Sequence, residues 1–440
     1  QTCLFRSVCL SVLLAMNMVF AYGQQVENRA KTPCYFDEMM LDQIKKNPDL
    51  LNRMNERDFL INNFIREKHK NQNAGTEKSL SANLIIPVVV YVVHEYGPEN
   101  ITDLQVTSQI NALNDYFDPY GIQFCLATKK GTQNLTSIST PSGITSTTPG
   151  IFHYGSSVLT NHNVNQQAAL TAIGSTLPAD QYLKIWVVKG ITSSTLPPGQ
   201  KILGYSMLPE FAVSTTDGIV MSHDAFGDVA TCSCTTLASY SQFGKILVHE
   251  VGHYLGLYHT FNGGCQGMNA SDCATGGDKV CDTPPVNAPN SGCPSSTWNT
   301  CNETPNLPDD IHNYMDYVSE SCMTGFTNGQ NDRILAQINM FRANLVSSSN
   351  LAYTGVSCTG GLLSDFTASN FNPCKNTAVT FTAIPSPGAT YTWDFGDGTT
   401  GTGVTVSHTY TSAYQPANVV LTINNGTNSV SSTRMVFVSP

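Results

Sequence analysis

Residues 249–259 read His-Glu-Val-Gly-His-Tyr-Leu-Gly-Leu-Tyr-His. His249 and His253 are four apart, so a helix places them on one face, one turn above the other. Gly256 follows three residues later. Glycine tolerates the left-handed conformation in which a helix stops and the chain doubles back, and that turn carries His259 to a third position. Three neutral imidazoles leave the fourth tetrahedral place open to water, the donor set of a catalytic zinc and not of a closed structural one. Glu250 points from the same helix toward that water. Zinc lowers the water's pKa to about 7, and a carboxylate beside it can take the proton. A core helix with satisfied histidines would not need this glutamate, glycine and third histidine at these spacings. Ile246, Leu247 and Val248 before the second histidine, and Leu255 and Leu257 after it, predict a buried helix.

A second motif, Asn313-Tyr314-Met315-Asp316-Tyr317, lies downstream, with Met315 56 residues beyond His259. Together the two motifs resemble the metzincin metallopeptidases. The resemblance implies that Met315 sits in a tight turn as an apolar floor under the histidines. It implies that Tyr317 lies near the metal and hydrogen-bonds the tetrahedral intermediate. Further residues narrow the resemblance to the pappalysin family: His259-Thr260-Phe261, Gly264-Cys265, Gly277-Asp278, Asp282-Thr283-Pro284, Gly292-Cys293-Pro294, Thr300-Cys301, Cys322-Met323, Phe326-Thr327 and Gln330. The likeness spans roughly residues 85–345 and is dense from 246 to 333. It implies an α+β zincin of metzincin type, with a mixed twisted sheet, a zinc helix and a Met-turn, acting on polypeptides bound in extended form.

The same family likeness implies disulfides Cys265–Cys301 and Cys293–Cys322, which would tie the loop after the zinc helix to the Met-turn. Cys273 and Cys281 lie close together and are expected to pair. Asp278, Asp282 and Thr283 offer hard oxygen ligands within six residues, a set suited to a structural calcium in an extracellular loop; the related family site uses the positions of Asp278 and Thr283. Glu320 falls where the family carries an acidic residue under the S1′ pocket. An otherwise unpaired buried carboxylate would favour Arg, or Lys, after the scissile bond.

The whole chain suits an extracellular enzyme. Its 440 residues can hold two or three domains, only 12% are charged, and 14 are cysteine. Cysteines at that density read as disulfides in an oxidising compartment. The net charge of −10 argues against nucleic acid and against an anionic membrane surface. Arg6 precedes an apolar stretch from Val8 to Phe20, and Ala21-Tyr22-Gly23 supplies small residues, so 1–23 reads as a signal peptide of a secreted protein. No later segment reads as a membrane span.

Residues 24–81 read as a helical pro-segment, in which Phe36, Met39, Met40, Ile44, Leu50, Leu51, Met54, Phe59, Leu60 and Phe64 recur at helical intervals. In several pappalysins a cysteine of this segment ligates zinc in place of water. Cys34 is the candidate for that latency ligand, with Asp37 as the alternative carboxylate. Lys78, in the linker 71–81, is a plausible processing point. The catalytic domain is expected over 82–345, with strands at Ile85–Val93, Tyr182–Val188 and Asp217–Met221 and a helix at Thr102–Phe117. Gly218 and Val220, on the last of these strands, are assigned to the sheet edge that pairs with substrate backbone. A linker over 346–362 leads to 363–440, where apolar and polar residues alternate in short runs like those of a β-sandwich. There, Trp393-Asp394-Phe395-Gly396-Asp397-Gly398 and His408-Thr409-Tyr410 resemble the polycystic kidney disease-type repeat domain, which would act as a spacer or bind an extended polymer. Cys358 and Cys374 could pair at its edge; Cys125, Cys232 and Cys234 are unassigned. Two function classes follow: an active zinc endopeptidase made as a latent zymogen, or a secreted binding or adhesion protein on a zincin scaffold that has lost activity.

Overall fold

The computed structural model of the chain describes residues 34–73, 84–137, 143–196, 201–208, 216–267, 272–302, 306–356, 366–383, 389–412, 416–424 and 429–439. The expected signal peptide, Lys78 and Cys358 lie outside them. The chain divides into two compact units, one running to Val356 and the other from Ser357.

The first unit is built on β1, Leu84–His94, an unbroken apolar run with both faces buried. Ile86, Val88, Val90 and Val92 enter one core, while Val89, Tyr91 and Val93 enter a second core on the opposite face. β1 pairs in parallel with β2 (Ile122–Leu126) along its first half and with β4 (Ile151–Gly155) along its second. β3, Ile144–Thr145, adds antiparallel to β4. On the other side of β1 lie β5 (Leu183–Val188) and β7 (Ile219–Ser222), both parallel, and then β6 (Gly204–Ser206), antiparallel to β7. The sheet is therefore mixed.

Two helices cover the first face. The Thr102 hydroxyl caps α3, Asp103–Phe117, by accepting from Gln105 N, and its Val106, Ile110, Leu113 and Phe117 turn inward. Beside it lies α4, Lys245–Tyr254, whose Leu247, Val248, Val251 and Tyr254 join the same core. α5, Asn328–Phe341, starts with a reciprocal cap between Thr327 and Gln330. No helix among the described residues is long and apolar enough to cross a membrane.

Between α4 and α5, the described residues form neither helix nor strand. This stretch is held instead by disulfides Cys265–Cys301, Cys273–Cys281 and Cys293–Cys322. Cys232 bonds Cys234, and Cys125 is also disulfide-bonded. The Cys374 thiol is free and exposed, so it does not form the bond to Cys358 that the sequence allowed.

Upstream of the sheet, α1 (Phe36–Lys46) and α2 (Asp49–Asn73) bury Phe36, Met40, Ile44, Leu50 and Met54 against Leu208 and Tyr258. Phe59 and Leu60, read as part of that apolar face, are 64% and 38% exposed. α6, Ser348–Thr354, occupies the interval read as linker. It is anchored to the first unit by Asn350 Nδ2 donating to Gln181 O and by Thr128 N donating to Thr354 O.

The second unit is a sandwich of two antiparallel sheets. One joins Phe366–Ala368, Ala378–Ala383 and Thr405–Thr409; the other joins Thr400–Thr402, Thr390–Asp394, Pro416–Asn424 and Ser429–Phe437. Trp393 lies fully buried among Phe366, Phe381 and Phe395, and its indole N–H donates to Gly403 O.

Candidate active site

α4 carries His249, Glu250 and His253 and ends at Tyr254. Gly256 follows at φ +93°, and the chain reverses so that His259 faces the helix. The three Nε2 atoms lie 3.0–3.1 Å apart. Each opposite nitrogen meets an acceptor: His249 Nδ1 meets Tyr314 O at 2.7 Å, His253 Nδ1 meets Leu257 O at 2.9 Å, and His259 Nδ1 meets Asp37 Oδ2 at 3.0 Å. A carbonyl or carboxylate oxygen can only accept, so every Nδ1 carries the proton and the three Nε2 lone pairs converge. A tetrahedral zinc with bonds of about 2.0–2.1 Å separates its nitrogen ligands by roughly 3.3 Å, so this donor set fits the metal. Burial and the neighbouring imidazole hold the His249 pKa down to about 3, and burial drives His253 well below its usual value. Both are thus the neutral ligands that zinc requires.

The Met-turn lies beneath. Met315 is fully buried, and a Cβ on Gly252 would collide with its sulfur, so the glycine inside the zinc motif makes room for the floor. The turn also supplies Tyr314 O to His249, and Thr260 N donates to Met315 O. Tyr317 packs its ring 4.9 Å from that of His259, and its hydroxyl donates to the backbone oxygen of Cys34.

Glu250 is fully buried beside β6. Burial pushes its carboxyl up to about 8, partly offset by the neighbouring Cys34 thiol and Ser206 backbone. A side chain on Gly204 would come 3.2 Å from its Oε1, so the strand approaches this carboxylate closely only because residue 204 is glycine.

The fourth place near the histidines is taken by Cys34. Its Sγ and the three histidine nitrogens lie within 4.8 Å of one another, the one such cluster of metal-capable groups among the described residues. Asp37, the alternative ligand, is not in that cluster; it backs His259 instead. Phe36 stacks on His253 with ring centres 3.9 Å apart. Neither the stacking nor the Asp37 contact was read from the sequence, although Cys34, Phe36 and Asp37 follow closely at the start of one helix.

Two assignments change. Gly218 and Val220 do not form the edge of the sheet, because β7 pairs on both sides; Val220 is core, and a Cβ on Gly218 would strike Lys184 O. The outer strand is β6, where Cys34 bridges Gly204 in parallel and Tyr35 N donates to Gly204 O. Glu320 is not an unpaired acid. Its carboxylate accepts from the backbone amides of Gln242, Phe243, Lys245 and Ile246 at the start of α4. Of the calcium candidates, Asp278 and Thr283 lie together, the Asp278 carboxylate accepting from Thr283 Oγ1 and Val280 N, whereas Asp282 caps α5 by accepting from Thr327 Oγ1 and Gly329 N.

A family model described as pregnancy-associated plasma protein-A matches residues 220–339, and one for a PKD domain matches 367–439. An extracellular metalloprotease of Pyricularia oryzae is 33% identical over 274 residues, which cover 61% of this chain and 80% of that protein. One from Arthroderma otae is 33% identical over 273 residues, covering 60% and 81% respectively. Among solved structures, mature mirolysin of Tannerella forsythia in complex with a cleaved peptide is 27% identical and covers 62% of this chain and 98% of that one, with a TM-score of 0.47.

Proposed function

The chain belongs to the pregnancy-associated plasma protein-A family of metalloendopeptidases, and on that premise we propose that it is a secreted zinc endopeptidase held latent by its own N-terminal segment. The observation that carries this reading is the convergence of three Nε2 lone pairs on one point beside a buried glutamate, with the Cys34 sulfur at the remaining place.

His249, His253 and His259 would hold the metal. When bound, zinc lowers the pKa of its water to about 7 and polarises the scissile carbonyl. Glu250 takes the proton from the attacking water and passes it to the leaving amine. Tyr317 donates to the developing oxyanion, a role supported by its hydrogen bond to a peptide carbonyl, that of Cys34, at the same place. An extended substrate adds to the edge of β6, as the backbone of Tyr35 does at Gly204. In the uncleaved chain, the Cys34 sulfur stands where water must bind, so residues 34–73 have to leave before hydrolysis.

The test is caseinolysis by processed protein. The activity should vanish with a zinc chelator, return with zinc, and fall at least about a hundredfold in Glu250→Ala. Hydrolysis that survives that substitution would require another mechanism. A processed, zinc-loaded protein that hydrolyses nothing would instead mark a binding protein on this scaffold.

A further inference from the structure

The three histidines are not held from behind in the same way. His249 and His253 give their Nδ1 protons to Tyr314 O and Leu257 O, carbonyls that belong to the catalytic body and remain after any processing. His259 gives its proton to the Asp37 carboxylate, 222 residues upstream on α1. Asp37 is 3% exposed and sits on the first turn of α1, three residues after Cys34. A carboxylate behind a ligating imidazole fixes its tautomer and its ring orientation and makes it a stronger donor to the metal. The contact is therefore matched to a function of the N-terminal segment beyond blocking the water position.

Charge points the same way. Three neutral imidazoles leave a zinc dication with its full charge in a buried pocket. The Cys34 thiolate and the Asp37 carboxylate bring two negative charges to it, and both come from the segment that is later lost. Phe36, between them in the sequence, stacks on the ring of His253 at 3.9 Å.

We propose that Asp37 is a positioning residue for the zinc ligand His259, so that the uncleaved chain is the tight-binding form in which zinc is acquired and retained, and processing loosens the metal as it opens the site. This rests on the reading of the three histidines as a zinc site. Processed enzyme keeps the three imidazoles but loses both the fourth ligand and the partner of the third.

The experiment measures zinc affinity of the full chain by competition with a chromophoric chelator, comparing wild type with Asp37→Ala, Asp37→Asn, Asp37→Glu, Cys34→Ala and the Asp37→Ala/Cys34→Ala pair. Asp37→Ala should weaken zinc about 10- to 100-fold. Asp37→Asn, which keeps an acceptor without the charge, should fall between Ala and wild type, and Asp37→Glu should recover most of the loss. The double variant should approach the affinity of processed protein. Cobalt(II) substitution reports docking separately, since a thiolate-to-cobalt charge-transfer band in Asp37→Ala means that Cys34 is still at the metal. Wild-type affinity in Asp37→Ala with that band present would overturn the proposal. If the band is lost, Asp37→Asn decides, and wild-type affinity there overturns it equally. A wild-type chain that binds no zinc would overturn the peptidase reading itself, whereas unchanged affinity across the Asp37 variants would overturn only the role of Asp37.

Discussion

Glu320 shows what a single carboxylate can do for this site by holding the start of its helix. Its two oxygens receive four backbone amides around the first turn of α4, and the Lys245 ammonium donates to Glu320 O and Met323 O. An acid at a helix N-terminus satisfies orphan donors and complements the helix dipole, so Glu320 fixes where the zinc helix begins. Replacing it by Ala leaves buried amides unpaired and should cost about 3 kcal/mol in a denaturant titration. The P1′ preference of processed Glu320→Ala, read from a peptide library, should match that of wild type; loss of an Arg preference would restore the pocket role. The site histidines, Glu250 and Gly256 were legible because metal chemistry dictates both residue type and spacing, and Met315 was legible only through the family likeness. Glu320 was not, because backbone amides some 75 residues away carry no identity that a sequence pattern can register.

At the scale of elements, α2 is locked to the catalytic body by a buried charge cluster. Asp58 accepts from Arg57 Nη2 at 2.9 Å, from Arg333 Nη2 of α5 at 2.5 Å and from the Tyr258 hydroxyl at 3.1 Å. Arg333 also donates to Gly256 O, so the same side chain braces the turn that delivers His259. Removing one member of such a cluster strands the others: Asp58→Ala should weaken docking of α2 by about 3–5 kcal/mol, seen as faster limited proteolysis within residues 49–73. Burial would raise the Asp58 carboxyl, but Arg333 and Arg57 hold it down to about 2, against 3.8 unperturbed. A depressed acid stabilises the folded form above its unfolded pKa and loses that contribution as pH falls through the folded value, here between about 4 and 2. The shift is worth about 2 kcal/mol, so hydrogen exchange in α2 should accelerate over that acid range in wild type and change less in Asp58→Asn. The long apolar strand β1 and the amphipathic α3 could be read from hydrophobic pattern alone. The edge strand β6 could not: three residues, Gly204-Tyr205-Ser206, are too few for periodicity, and their place at the edge comes from pairing with β7.

At the scale of the whole molecule, the cores of the two units share no residues. Calorimetry should therefore show two transitions, and a zinc chelator should lower only the one belonging to the catalytic unit. A single transition moved as a whole by the chelator would mean that the units unfold together. The sandwich was readable because Val379, Phe381, Tyr391, Trp393, Val419, Leu421 and Ile423 alternate with polar residues and are buried. α6 was not, because a seven-residue helix leaves little pattern and is fixed by contacts to distant segments. One metal centre shared between the N-terminal segment and the catalytic body would couple latency to catalysis. Zinc-edge X-ray absorption on the uncleaved chain tests it most directly: one zinc per chain with three nitrogen ligands at about 2.0–2.1 Å and one sulfur at about 2.3 Å is the predicted result, with oxygen in place of sulfur after processing. A zinc shell without sulfur in the uncleaved chain, or no bound zinc at all, would contradict it.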